Sequence, residues 1–211
     1  MKDIIASIIT SVLTALYQPF WFSVILSVLV LFFYLFSYHN ETGGRGIRGA
    51  FSVWWQFFKD SAFFRKLFFL TFYTTMILFR TLLNRDMWMN PLSDVMGNWW
   101  IWKYGDDGAR YLTTECIENL MLFIPFTILL FWTAGKRILK KTTFRNAVWT
   151  GLKITFVFSL SIESLQLFLR LGTFQVSDLT YNTLGGGIGG AGYWMGYRLN
   201  GKRKNTFTKQ L

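Results

Sequence analysis

Residues 161–190 read S-I-E-S-L-Q-L-F-L-R-L-G-T-F-Q-V-S-D-L-T-Y-N-T-L-G-G-G-I-G-G. They set Glu163, Gln166, Arg170, Asp178 and Asn182 inside or beside sequence apolar enough to lie in a lipid bilayer. Two carboxylates can act as general acid and base when their surroundings hold them in different protonation states. The same carboxylates, with an arginine and two amides, can instead grip a polar headgroup. An ionisable group within a membrane span is costly and marks a functional site by default. The rest of the chain lacks the other parts of a hydrolytic or transfer centre. It has one cysteine, Cys116, and one histidine, His39, so neither a disulfide framework nor a Cys/His metal site can be assembled within it. No cofactor motif is present, and recognition is favoured over catalysis.

The elements that must position these residues follow from hydropathy. The 211 residues are 52% apolar and 20% aromatic, with long apolar runs separated by basic patches. Such a pattern defines an all-α membrane protein, because a helix needs about 20 apolar residues to cross the hydrocarbon. Residues 4–17 place Ile4, Ile5, Ile8, Ile9, Val12, Leu13 and Leu16 on one face and are too short to span, which predicts an interfacial helix ending before Pro19. No cleavable leader is expected, since Asp3 interrupts the basic start and no small-residue cleavage pattern follows. Spans are expected at about 20–38, 67–83, 116–134, 147–171 and 178–199, with Pro125 kinking the third. Phe51, Trp54, Trp55 and Phe58 recur at helical spacing within the basic segment 39–66, a second interfacial helix on the cytoplasmic side. Residues 85–114 hold Asp86, Asp94, Asp106 and Asp107 among Trp88, Trp99, Trp100 and Trp102, a mixture suited to the membrane surface. The Asp106–Asp107 pair between glycines reads as a turn, with too few ligands around it for calcium.

Charge sets the expected orientation. Of 22 Lys and Arg residues, fifteen fall in 39–66, 135–146 and 198–211, against one at the N-terminus and three in 85–114. The positive-inside rule then puts the N-terminus outside and the C-terminus in the cytoplasm of a multi-pass plasma-membrane protein. The net charge of +11 is thereby explained without nucleic acid, for which no base-reading motif exists. Three regions follow: 1–66 with the interfacial helix, first span and basic aromatic connection; a transmembrane domain at 67–199; and a basic cytoplasmic tail at 200–211, which could touch anionic lipid.

On this topology polar residues from several helices reach one depth. Ser159, Glu163, Gln166 and Arg170 follow the i, i+4, i+7, i+11 series and share a helix face. Asp178, Asn182, Gly185, Gly189, Gly192 and Gly196 fall on one face of the last span. That glycine stripe is expected to be a packing surface pressing Asp178 and Asn182 against a neighbour, most economically the preceding span. Glu118 and Asn119, with Glu115, arrive at the outer end of the third span and Arg80 at that of the second. Glu163 should be paired or neutral, with Arg170 and Asp178 the nearest candidates. A purely structural alternative is an interhelical polar clamp, with Arg80 and Arg170 snorkelling to the interface.

Three motifs in order carry a family resemblance: E-N-L-M-L-F-I-P-F at 118–126, S-I-E-S-L-Q at 161–166 and G-T-F-Q-V-S-D-L-T-Y-N-T-L-G-G at 172–186. With Arg80 and N-P-L at 90–92, they resemble the VanZ-like family of bacterial membrane proteins over about 67–199. The chain departs from that pattern at Gln175 and Ser177, where relatives often carry acids. The resemblance implies family polar positions at Asn119, Glu163, Gln166, Asp178 and Asn182. It also implies a cell-envelope role, since the founding member is associated with resistance to the glycopeptide teicoplanin without rebuilding the peptidoglycan precursor. The expected partners are membrane lipids, a lipid-linked cell-wall precursor or a lipoglycopeptide, and the pattern specifies no oligomeric state. An enzyme modifying a lipid headgroup through Glu163 and Asp178 is the alternative. A small transporter fits less well, because no internal repeat is found.

Overall fold

The computed structural model describes residues 17–39, 46–85, 87, 89–104 and 108–208, with 6, 9, 10, 13 and 14 described singly. The interfacial helix expected at 4–17 therefore lies largely outside the described residues, as do Gly43, Gly44, Asp86, Trp88 and the Asp106–Asp107 turn.

Six helices make up the described fold. They are α1 (Phe20–His39), α2 (Ile47–Asp60), α3 (Ala62–Leu78, continued by a π-turn Phe79–Leu83), α4 (Glu115–Ile138), α5 (Phe144–Leu169) and α6 (Val176–Thr208). Between α3 and α4 a two-stranded antiparallel hairpin pairs β1 (Trp102–Tyr104) with β2 (Arg110–Leu112). Four stretches are long and apolar enough to cross a membrane: Phe20–Ser37, Ala62–Leu83, Glu115–Ile138 and Phe144–Leu169. The protein is thus an all-α, multi-pass bundle, as its hydropathy predicts. The fifth expected span, α6, is longer than any of these at 33 residues, but its glycines contribute little hydropathy. It gains its apolar surroundings from α4 and α5, against which most of its length is packed.

Local chemistry explains the helix boundaries. A glycine with φ 93°, Gly46, admits the chain to α2 in a conformation closed to side-chain-bearing residues. Ser61 ends α2 and starts α3: its N–H donates to the Phe57 carbonyl at 2.9 Å, and its hydroxyl accepts from the Phe64 N–H at 3.2 Å. The α2–α3 corner closes over Trp54, which stacks on Phe58 and meets Phe64 and Phe68 edge-on. Leu31 and Leu35 of α1 complete this buried cluster. The aromatic helix expected at the cytoplasmic surface is therefore also a packing element that ties α1 to α3.

A second cluster joins α3, α4 and α5 through Ile77, Phe123, Phe126 and Ile162, and a third joins the α4–α5 turn to α6 through Phe131, Leu139 and Ala147. Tyr73 donates to the Leu122 carbonyl at 2.9 Å, fixing α3 on α4. Pro125 lies inside α4, which continues through it.

Glycines in α6 act on two sides. A Cβ on Gly185 or Gly189 would collide with the Leu120 or Ile124 carbonyl of α4, while one on Gly186 or Gly190 would collide with Thr155 or the Ala147 carbonyl of α5. The helix is thus wedged between two backbones, at a separation that only a hydrogen side chain permits. The expectation that the Gly185, Gly189, Gly192 stripe abuts the preceding span is corrected here. It faces α4, because a second set one position further on, Gly186 and Gly190, takes α5. Gly196 has no atom within 4 Å of where its Cβ would be, so it is not a packing glycine.

Candidate functional site

All the polar residues singled out lie at one end of the bundle, where α3 finishes, α4 starts and the α5–α6 turn reverses the chain. That end is opposite the basic α4–α5 connection. Each group is delivered by its own backbone device. Arg80 rides on the π-turn, a local widening and underwinding of the helix common at functional positions. It forms an ion pair with Glu118 in the first turn of α4, and the Thr114 hydroxyl donates to the second oxygen of the same carboxylate. At 27% and 13% exposure the pair is partly shielded, which makes it stronger than a surface bridge.

Two turns of α5 carry the deeper part. Glu163 and Gln166 are each only 2% exposed. The Gln166 side chain donates to the Thr81 carbonyl at 2.7 Å, so the π-turn of α3 is held by a side chain 85 positions away. Glu163 accepts the backbone N–H of Gln175 at 2.9 Å. Its carboxylate therefore restrains the α5–α6 turn, and the residue that donates is one whose side chain is turned elsewhere. One helical turn below, the Asn182 amide of α6 donates to Ser159 of α5 at 2.9 Å. Asn182 is 4% exposed, and its carbonyl oxygen has no partner among the described residues. A buried acceptor left open is a place for a donor to arrive.

Asp178, in the first turn of α6, is half-buried, with the Asn119 amide and the Ser177 hydroxyl against its carboxylate. Glu163 and Asp178 act on each other electrostatically, and the cation that reaches both is Arg85. Arg170 instead occupies the left-handed cap of α5, φ 56° and ψ 36°, and is exposed. Arg170 does not partner Glu163, because the left-handed turn carries residue 170 out of the helix face it would otherwise share; the cation near Glu163 is Arg85. Arg85 was missed by the sequence reading. It is brought in by an isolated antiparallel bridge between Met87 and Leu171, which lays residue 85 over Gly172.

A lid covers the cluster. Residues 90–99 run across the α5–α6 turn, the Phe174 N–H donating to Pro91 O at 2.9 Å and the Val176 N–H to Val95 O at 2.8 Å. Gln175 donates from its side chain to Asp94 at 3.3 Å, and Tyr181 donates to the Trp99 carbonyl at 2.6 Å. Gly97 takes φ 66° directly over Ser177, and a Cβ there would overlap the Ser177 hydroxyl. These lid contacts also went unread in the sequence, where Asp94 and Gly97 belong to a polar connection without periodicity. Exposed Met87, Met89, Leu92, Met96 and Trp100 surround the lid. Such a rim suits the interfacial zone of a bilayer.

Among the described residues no group of three or more His, Cys, Asp or Glu side chains has an arrangement suited to a metal ion. What the site offers is the carboxylates Glu118, Glu163 and Asp178, with Glu115 near Asp178 and amide and guanidinium groups beside them, inside a helical membrane bundle and beneath a short loop. A polytopic membrane protein with a loop-covered cluster of polar side chains at one end is the class so defined. The family profile described as VanZ/LLP1 matches residues 20–197, and the chain belongs to that family. The match takes in α1 and α2 as well as residues 67–197, which carry the motifs. Searches of curated proteins and of solved structures found no match.

Proposed function

We propose that this VanZ/LLP1-family membrane protein recognises the polar headgroup of an outer-leaflet lipid or lipid-linked cell-wall precursor, and thereby modulates susceptibility to teicoplanin-type glycopeptides. The observation that carries the reading is the open acceptor of Asn182, buried one turn below Glu163 and Asp178 on the side covered by the 90–99 loop. The carboxylates and the vacant carbonyl accept hydrogen bonds, so a headgroup rich in amine or hydroxyl donors complements them. The Met- and Trp-bearing rim would lead such a lipid from the leaflet to the lid. In this reading the cluster end faces outward and the basic connections face the cytoplasm, in keeping with the charge asymmetry.

Bacteria expressing Glu163→Gln and Asp178→Asn variants at wild-type abundance test the proposal through surface binding of a labelled lipoglycopeptide. Both variants shift binding toward the level of cells lacking the protein. Binding equal to wild type in both variants refutes it.

A second reading is supported by the mutual influence of Glu163 and Asp178. Two interacting carboxylates could serve as acid and base in modifying the headgroup itself. Lipid mass spectrometry separates the two: catalysis yields a headgroup change that either variant abolishes, and recognition alone yields none.

A further inference from the structure

A second site lies at the other end of the bundle. Lys153 is nine residues into α5, about 14 Å along its axis at 1.5 Å per residue. Helix α5 has 26 residues, some 39 Å against a hydrocarbon thickness of about 30 Å, so this lysine starts below the hydrocarbon boundary of the leaflet on the basic side. It is exposed, and no carboxylate pairs with it among the described residues. Its nearest neighbours along the helix face, Trp149, Thr150, Phe156 and Val157, include no acid. A lone lipid-facing cation is an expensive feature to retain without a partner.

Beside it lies a shallow, open groove of about 440 Å³ along one face of α5, lined by Lys153, Ile154, Val157, Phe158 and Ser161. Apart from the lysine its wall is apolar, since the Ser161 hydroxyl is turned onto its own helix, donating to the Val157 carbonyl at 2.8 Å. From Lys153 to Ser161 it extends roughly 12 Å toward the middle of the bilayer. Helical side chains lean toward their N-terminus, so the ammonium leans back to the headgroup level, where Trp149 stands one turn earlier. The charged end of the groove is thus at the interface and the apolar end at the bilayer centre.

That polarity matches one occupant. We propose that the groove holds an anionic phospholipid of the leaflet on the basic side, its phosphate on Lys153 and one acyl chain lying over Ile154, Val157 and Phe158. Lys140 and Lys141 on the adjoining connection and Arg145 in the first turn of α5 raise the local concentration of anionic lipid. The site is independent of the carboxylate cluster, whose Glu163 is buried while Lys153 is exposed.

The full-length protein, purified from detergent and incubated with an equimolar mixture of phosphatidylglycerol and phosphatidylcholine, would be examined by native mass spectrometry. Wild type retains phosphatidylglycerol at least threefold over phosphatidylcholine. Lys153→Gln brings that ratio near one, Lys153→Arg keeps it, and Val157→Trp, which fills the groove, lowers retention of both lipids. Positions 153 and 157 are lipid-facing, so these variants fold, and an unchanged unfolding temperature checks it. Undiminished preference in Lys153→Gln overturns the assignment, as does a wild type with no preference. A dimer that Val157→Trp abolishes while lipid retention stays constant also overturns it, assigning the groove to a second copy of the chain.

Discussion

Replacing Glu163 by glutamine separates the stability of the bundle from its recognition. In the native structure the carboxylate is buried and satisfied by one backbone donor, the Gln175 N–H at 2.9 Å. A charged group at the centre of a span costs about 2.5–3.5 kcal/mol, and Glu163 lies only about 9 Å from the end of α5, so roughly half of that is relieved when the charge is removed. Glutamine keeps an acceptor for Gln175, and the exchange of a charge-assisted bond for a neutral one loses about 1 kcal/mol. Arg85 is exposed, so solvent screens its attraction and little is lost there. The balance places Glu163→Gln within about 1 kcal/mol of wild type, on the stable side. Glu163→Ala removes the acceptor as well, and an orphaned buried N–H costs about 1–3 kcal/mol. Reversible unfolding in mixed micelles, followed by circular dichroism as denaturing detergent increases, gives the order Gln, wild type, Ala from most to least stable. A glutamine variant as unstable as the alanine one would falsify the reasoning, since the charge itself would then be holding the turn.

Further perturbations act on separate parts of the bundle. Gly190→Leu drives a side chain into the Ala147 carbonyl and lowers the unfolding midpoint sharply, whereas Gly196→Ala, with open space around it, raises stability by about 0.5–1 kcal/mol through backbone entropy. A double-mutant cycle on Arg80→Gln and Glu118→Gln returns a coupling of about 1 kcal/mol, and a coupling near zero removes the ion pair from the site. Gly97→Ala strains the left-handed position and strikes Ser177, so amide exchange across 90–99 rises while that of α5 stays constant. In a Cys116→Ser background, Ser93→Cys reacts with an impermeant thiol reagent added outside the cell and Thr143→Cys does not; labelling of the second alone reverses the proposed orientation.

Hydropathy and charge were legible because each is a local property summed over a helix. Four of the apolar helices could be read in this way, and so could the co-location of Arg80, Glu118, Glu163, Gln166, Asp178 and Asn182 at one end, which follows from counting turns. What escaped was set by irregular backbone. Arg170 keeps its place on the helix face only while the helix lasts, and the left-handed cap ends it one residue too soon. Arg85 enters through a single bridge between residues 84 positions apart, Met87 and Leu171, and Gly97 through a positive φ in a turn-rich loop. None of these has a repeating pattern. The glycine stripe was visible, but not its neighbour: with glycines at consecutive positions, 185–187 and 189–190, periodicity alone cannot say which of two faces meets which helix.

Those consecutive glycines also account for the position of the site. A span with one bare face can approach one neighbour closely, and its polar residues then need partners on that helix alone. Bare on two faces, α6 draws α4 and α5 in together, and its first turns enter the space where both present polar side chains. Asn182 thus meets Ser159 of α5 while Asp178, one turn earlier, meets Asn119 of α4. Close backbone packing below leaves no room for lipid or water to separate the helices, so the polar groups above are held without a rigid scaffold of their own. It follows that substitutions at Gly185 and Gly186, each about one turn below Asn182, disturb the site from opposite sides: Gly185 through Leu120, next to Asn119, and Gly186 through Thr155, one turn from Ser159. Loss of lipoglycopeptide binding in Gly185→Ala with the Asn182–Ser159 contact intact, detected as an unchanged crosslink between cysteines placed at 159 and 182, would separate the two arms.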